Sequence, residues 1–365
     1  MSTRQSLQKQ APLRDSGYVE FQVERDSDAA QMLAELLGPR GENGQWSIRY
    51  DNYQQLLQML NAVDRKLTDN QKESLWCRIA YEKQPASEAE ESDGWVRATR
   101  LLTGFGPHRV VDYIANRRFS SHMQPIVQLS GAPIGYELLL RPLPEQPPFR
   151  PSELFAAARE AGLHSFLDRE ARSSAIRVAS RQLPAGVKKF INFLPSSIYS
   201  PEECLQQTFE RIIMSGMDPA DFVFEVVETE RLDDVKHLNK VFSTYRNMGI
   251  RLAMDDLGDE FATVEVMEQL KPDYVKLDRK WISGCDADAD KQRRIEDVLE
   301  RASRFHGVVL AEGVEREEEW RYLRQAGVPL MQGYLFGRPA PVPMPIQFGQ
   351  SASNSKSAST SAVRN

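Results

Sequence analysis

The chain has 365 residues, 41% hydrophobic and 27% charged, ordinary figures for a soluble globular protein with room for one large and one smaller domain. No apolar run approaches the roughly 20 residues that span a bilayer. The polar N-terminal segment MSTRQSLQKQAPLRD lacks the apolar core of a signal peptide, so a cytoplasmic protein with no membrane span is expected. The net charge of −6 disfavours DNA as a partner, but a few metal ions or local arginines still suffice to hold a small anion.

Residues 1–16 read as a disordered polar leader, and residues 17–118 as a small α+β domain or a helical module. The alternating run from Tyr18 to Val23 reads as a strand and is followed by a helix over Ala29–Leu37, stopped by Gly38-Pro39. Trp46–Tyr50 is a second short strand. Tyr53, Leu56, Leu57, Leu60, Val63 and Leu67 then recur at helical spacing, and Thr68 with Gln71 fits a capping box. Pro85–Asp93 is an acidic loop. No convergent polar set appears in this region, so it is expected to pack, sense or dock a partner rather than do chemistry. Deleting residues 1–110 should leave ligand binding by the remainder measurable.

From Phe119 to Pro343 short apolar runs alternate with helical stretches. Strands are expected at 124–128, 134–140, 189–194, 221–227, 250–256, 273–278, 307–311 and 329–336. Helices are expected at 152–161, 166–182, 201–215, 232–248, 263–270, 289–305 and 315–326. This alternation predicts a TIM-type (β/α) barrel. The link from Leu129 to Ile134, with Ser130-Gly131, is of hairpin length, so the first strand should be antiparallel to the second and the barrel modified. The Ser-rich residues 344–365 are too poor in apolar side chains to pack. Cys77, Cys204 and Cys285 lie far apart and odd in number, and read as idle buried thiols.

Polar groups stand in or beside almost every strand: Glu137, Asn192, Glu225 and Glu228, Asp255 and Asp256, Lys276 and Asp278, Glu312 and Glu315, and Gln332. Barrel geometry converges such positions on one mouth. Carboxylates gathered there repel one another unless cations neutralise them, and an oxygen-rich set selects Mg²⁺ or Mn²⁺. The pattern points to a metal-dependent phosphoryl site, the alternative being structural ion pairs.

The segments QPIVQLSGAPIGYELLLRP, FEVVE, MDDLG, DYVKLD, AEGVE and QGYLFGRP resemble, in order and spacing, the signatures of EAL-domain cyclic di-GMP phosphodiesterases over about 225 residues. The motif that names the family reads Glu137-Leu138-Leu139 here. The resemblance implies two-metal hydrolysis of cyclic di-GMP to linear pGpG. By it, Glu137, Asn192, Glu225 and Asp255 are metal ligands and Asp256 and Glu312 complete the second metal's surroundings. Lys276 orients or activates the attacking water, Gln332 and Glu315 support the site, and Glu228 anchors the loop after the fifth strand. Gln124, Leu139, Arg141, Asp168, Phe336 and Pro339 match ligand-contacting positions. A homodimer formed through the barrel, and a protein partner on the N-terminal domain, are also implied.

The loop after the fifth strand departs from the family pattern. Asp259, Glu260 and Ala262 replace a glycine and small hydroxyl residues, and Val227 replaces a threonine in the fourth-strand motif. Two extra negative charges near an anion site predict weak turnover. The alternative is a non-catalytic cyclic di-GMP receptor or protein-interaction module. Retention of every acidic ligand weighs toward the enzyme.

Overall fold

The computed structural model describes residues 13–24, 27–41, 44–81, 95–105, 108–198, 200–226, 235–257 and 263–343. The chain divides into two compact units, one of residues 1–120, 140–175 and 194–208, the other of residues 121–139, 176–193 and 209–365.

The first unit begins β1 (Gly17–Gln22), α1 (Asp28–Leu37), β2 (Trp46–Tyr50), α2 (Tyr53–Lys66), α3 (Asp69–Ser74), β3 (Trp76–Ala80) and β4 (Val96–Arg97). It continues through α4 (Ala98–Leu101), the short pair β5 (Gly104–Phe105) and β6 (His108–Arg109), and α5 (Val110–Ala115). An antiparallel sheet in the order β2-β1-β3-β4 settles the α+β alternative. Alternation in β1 buries Val19 and Phe21 on one face. The side chains of Ser27 and Asn52 cap α1 and α2, and Thr68 with Gln71 forms the expected capping box on α3. β3 and β4 escape sequence reading. Trp76-Cys77-Arg78-Ile79-Ala80 has no clean alternation, and its pairing to β1 is what holds it extended.

The first unit runs to Ser120 and also takes in two later stretches of chain. α6 (Pro151–Glu160) and the first part of α7 (His164–Gln182) group with the N-terminal sheet. The reason is a shared core, in which Leu154, Leu163, Phe166 and Leu167 belong to one buried cluster with Phe21, Leu56, Leu57 and Leu60.

The barrel strands are β7 (Phe119–Gln128), β8 (Pro133–Pro142), β9 (Lys188–Phe193), β10 (Phe222–Val226), β11 (Arg251–Leu257), β12 (Tyr274–Leu277), β13 (Val308–Ala311) and β14 (Leu330–Gln332). They close in chain order, accompanied by α8 (Pro201–Met214), α9 (Val235–Asn247), α10 (Val264–Leu270), α11 (Arg279–Ile282), α12 (Ala289–Ser303) and α13 (Glu317–Ala326). The pairs from β8 to β14 are parallel and β14 meets β7 antiparallel, so β7 runs against both its neighbours. A tight turn joins β7 to β8, with Gly131 at φ 82° and its amide 2.8 Å from the carbonyl of Gln128. β7 starts at Phe119 rather than 124, and Met123 and Ala340 exchange backbone hydrogen bonds of 2.7 and 3.1 Å.

Period two along the strands builds the interior in layers. One layer is apolar: Ile126, Phe190, Val223, Ala253, Tyr274, Leu310 and Leu330, with Ile134 packed against it. Two residues further toward the carboxyl ends of the parallel strands, the next inward positions are Asn192, Glu225, Asp255, Lys276, Glu312 and Gln332. Glu137 stands two past Gly135 on β8, and Gln124 two before Ile126 on the reversed β7. Among the described residues no helix is long and apolar enough to cross a membrane.

Candidate functional site

Lys276 on β12 is the hub of the polar layer. Its Nζ lies 2.6 Å from Glu312 Oε1, 3.0 Å from Glu225 Oε1, 3.0 Å from Asp255 Oδ1 and 3.8 Å from Glu137 Oε1. Glu137 is further fixed by two amides. Asn192 Nδ2 donates to its Oε1 at 3.0 Å and Gln332 Nε2 to its Oε2 at 2.8 Å. The register of β11 against β12 shifts between Met254 and Leu257, a bulge that falls on the consecutive Asp255 and Asp256.

Burial opposes the charge on Lys276, but Asp255, Glu137, Glu225 and Glu312 outweigh it and hold the ammonium well above its ordinary range. Burial first, then the other carboxylates, push Glu225 well above the usual carboxylate range despite Lys276. Glu312 is raised in the same way. For Glu137, burial is overcome by Lys276 and by the Asn192 and Gln332 amides, so its carboxyl is held low.

Four carboxylates around one ammonium leave an excess of negative charge in a water-poor site. Among the described residues, the buried Asn192 Oδ1 and Glu225 Oε2 find no hydrogen-bond partner. That all-oxygen donor chemistry fits a hard divalent cation. Among the described residues, however, no three Asp, Glu, His or Cys side chains form a ready metal cage. The Lys276 ammonium stands where the carboxylates converge.

A cavity opens over this cluster, and Gln124, Glu137, Glu312, Glu315, Gln332 and Tyr334 are in its wall. Gln124 donates to the Gly337 carbonyl at 3.2 Å. Glu315 stands at the rim, paired with Arg279 at 3.0 Å. Gly333 packs directly on Val314, whose carbonyl oxygen would lie 2.0 Å from any added Cβ. Phe336 is buried in the apolar cluster with Val314 and Val127, and Pro339 is half-buried.

Leu139, Arg141 and Asp168 are not among the residues in the wall of this cavity. Leu139 is half-buried two residues beyond Glu137. Arg141 and Asp168 belong to the first unit. Arg141 donates to the Leu140 carbonyl at 2.7 Å. Asp168 is buried, accepts from Leu194 N at 3.0 Å and Ser197 Oγ at 2.6 Å, and pairs with Arg172 at 3.0 Å. Its carboxylate thus ties α7 to the turn after β9. Val227, Glu228, Asp259, Glu260 and Ala262 lie outside the described residues, as does the side chain of Asp256.

Sequence reading missed Arg279, Tyr334 and Glu319. Glu319 is buried and accepts from the amides of Gly284 at 2.9 Å and of Glu315 and Arg316, each at 3.1 Å. Burial raises its carboxyl, but these donors and the Arg316 guanidinium outweigh it and hold the group below the usual range. An acid three residues into a helix start was the available signal. All three cysteines are buried and free, as expected of idle thiols.

The family model described as "EAL domain" matches residues 109–339, more than half of the chain. A probable cyclic di-GMP phosphodiesterase of Escherichia coli K12, PdeN, is 28% identical over 261 residues, covering 68% of this chain and 48% of that protein. A second from the same organism, PdeG, is 29% identical, covering 62% and 45%. The chain therefore spans about half the length of these curated relatives. A standalone EAL protein from Vibrio cholerae O395, solved in its c-di-GMP-bound form, is 31% identical, with 61% of this chain and 92% of that one covered and a TM-score of 0.55. The calcium/cy-diGMP complex of Klebsiella pneumoniae BlrP1, at 21% identity and TM-score 0.56, covers 89% of this chain and 96% of that one, a likeness of fold alone that runs beyond the barrel. A barrel with one reversed strand, a polar layer at its carboxyl face and a family match spanning the whole barrel place this chain in the EAL domain family.

Proposed function

We propose that the barrel hydrolyses one phosphodiester of cyclic di-GMP to give linear pGpG, slowly, with Mg²⁺ or Mn²⁺. The observation that carries this reading is the convergence of Glu137, Glu225, Asp255 and Glu312 on Lys276 at the carboxyl face of the barrel. Glu137, Asn192, Glu225, Asp255 and Asp256 would hold the cations. Bound there, divalent cations supply Lewis-acid polarisation of the phosphodiester and a lowered pKa for attacking water. Lys276, surrounded by carboxylates, keeps its proton and acts as a donor that orients the nucleophile rather than as a base. Glu312, beside Lys276 and in the cavity wall, is the carboxylate best sited to take a proton. Gln332 and Asn192 orient Glu137 through its two oxygens. Glu228 and Glu315 support the surrounding loops. Gln124, Leu139, Arg141, Asp168, Phe336 and Pro339 are proposed to contact or shape the ligand site. A cytoplasmic location, a homodimer formed through the barrel and a protein partner on the N-terminal sheet complete the proposal.

One observation favours a second reading, capture of cyclic di-GMP without turnover. Lys276 already occupies the convergence point, so the cluster is partly neutralised without metal. Incubating the purified chain with cyclic di-GMP in Mg²⁺, Mn²⁺ or chelator, with chromatographic product analysis, separates the two. Metal-dependent pGpG is the expected result. Binding without product in either metal would establish the receptor reading and sink the hydrolase.

A further inference from the structure

Arg279 is the only cationic side chain among the described residues in the wall of the site cavity, which also carries Glu137, Glu312 and Glu315. It is the first residue of α11, three positions after Lys276. The backbone there is held by the N-cap Asp278, whose Oδ1 accepts from Lys280 N at 2.7 Å. Its stem lies against Gly313, at φ 66°, where an added Cβ would come within 2.4 Å of Arg279 Cγ. Only glycine at that position allows the arginine to lie along the loop that carries Glu312 and Glu315.

The two cations of the site are held differently. Lys276 is buried and committed to four carboxylates. The Arg279 side chain is 60% exposed and has, among the described residues, one ion-pair partner, Glu315 at 3.0 Å, itself 37% exposed. Such an exposed pair is weak and exchanges readily. An anion entering this cavity meets three carboxylates in the wall and needs a movable cation there. Arg338 lies 4.0 Å over the ring of Tyr334 and is not in the wall.

We propose that Arg279 is a ligand-contacting residue, whose guanidinium leaves Glu315 to grip a non-bridging phosphate oxygen of the cyclic dinucleotide. The fork geometry of the group suits phosphate, and the part-exposed Glu315 carboxylate that it leaves is open to water. This rests on the reading of the cavity as a cyclic di-GMP site and adds a residue to it.

The test is calorimetric titration of the full chain with cyclic di-GMP, with and without divalent cation, in Arg279→Ala, Arg279→Lys and Glu315→Gln. Arg279→Ala should weaken binding at least tenfold, and Arg279→Lys should recover part of the loss. Glu315→Gln releases the guanidinium and should tighten binding. If Arg279→Ala binds like wild type, or if Glu315→Gln weakens binding as much as Arg279→Ala does, the pair is a structural strut and the proposal falls. Wild type that binds under neither condition would overturn the cyclic di-GMP reading itself, and this inference with it.

Discussion

Lys276 compensates carboxylates that would otherwise repel one another in a buried site, so its removal is a direct measure of their excess charge. Removing one member of a buried ion cluster costs about 3–5 kcal/mol. Lys276→Met should therefore lower the thermal midpoint sharply in chelator. A divalent cation replaces the lost charge and should raise the midpoint of the variant more than that of wild type, since a ligand at about 100 times its Kd stabilises by about 2.7 kcal/mol. No rise in either protein would mean that these carboxylates do not hold a cation. Glu137 needs a gentler probe. Its loss strands the Asn192 and Gln332 amides, at about 1–3 kcal/mol. Glu137→Gln keeps the size of the side chain and should abolish hydrolysis with little loss of stability. Turnover at the wild-type rate in this variant would remove Glu137 from the metal site. Asn192, Glu225, Asp255, Lys276, Glu312 and Gln332 were legible because strand period two places each two residues beyond an apolar-layer residue. Arg279 was not, because it starts a four-residue helix too short to show any periodicity.

At the scale of elements, the first unit joins α2 to α7 through a buried polar contact. Tyr53 Oη donates to Glu170 Oε1 at 2.5 Å, and Arg117 Nε donates to Glu170 Oε2 at 2.7 Å. Arg169 lies 4.8 Å over the Tyr53 ring. Burial, then Glu170, push the Tyr53 hydroxyl up to about 12, so it remains a donor at any working pH. Arg117 turns the chain between α5 and β7 at φ 49°, an unusual angle for arginine that aims its guanidinium at Glu170. Tyr53→Phe leaves Glu170 Oε1 with only the longer 3.3 Å bond from Arg117 Nη2 and should cost about 1–2 kcal/mol in urea denaturation. A change below about 0.5 kcal/mol would show that Arg117 alone satisfies Glu170. The helical spacing of Tyr53, Leu56, Leu57, Leu60 and Val63 was visible in the sequence, and all five are buried on one face. Their partners were not visible, because Tyr53 and Glu170 are 117 residues apart and no local pattern couples them.

At the scale of the whole molecule, the N-terminal sheet and the helices α6 and α7 share one core, which changes what truncation should do. On the sequence alone, residues 1–110 look removable because they carry no convergent polar set. In the structure, their deletion uncovers Leu154, Leu163, Phe166 and Leu167, all fully buried in the cluster built with Phe21, Leu56 and Leu60. Each large apolar side chain left exposed forfeits about 1.5–3 kcal/mol, which is a large fraction of a domain's net stability. A chain lacking residues 1–110 is therefore expected to melt well below the full chain and to self-associate through the uncovered face. The polar cluster on Lys276 lies in the other unit, so the fraction that stays folded should retain cyclic di-GMP affinity within a few-fold. Differential scanning calorimetry with light scattering reads the first effect, and titration normalised to folded protein reads the second. A monomeric truncation product with an unchanged midpoint would show that the shared core contributes nothing to the stability of α6 and α7. Loss of affinity in the folded fraction would instead make the N-terminal sheet a part of the binding machinery rather than its support.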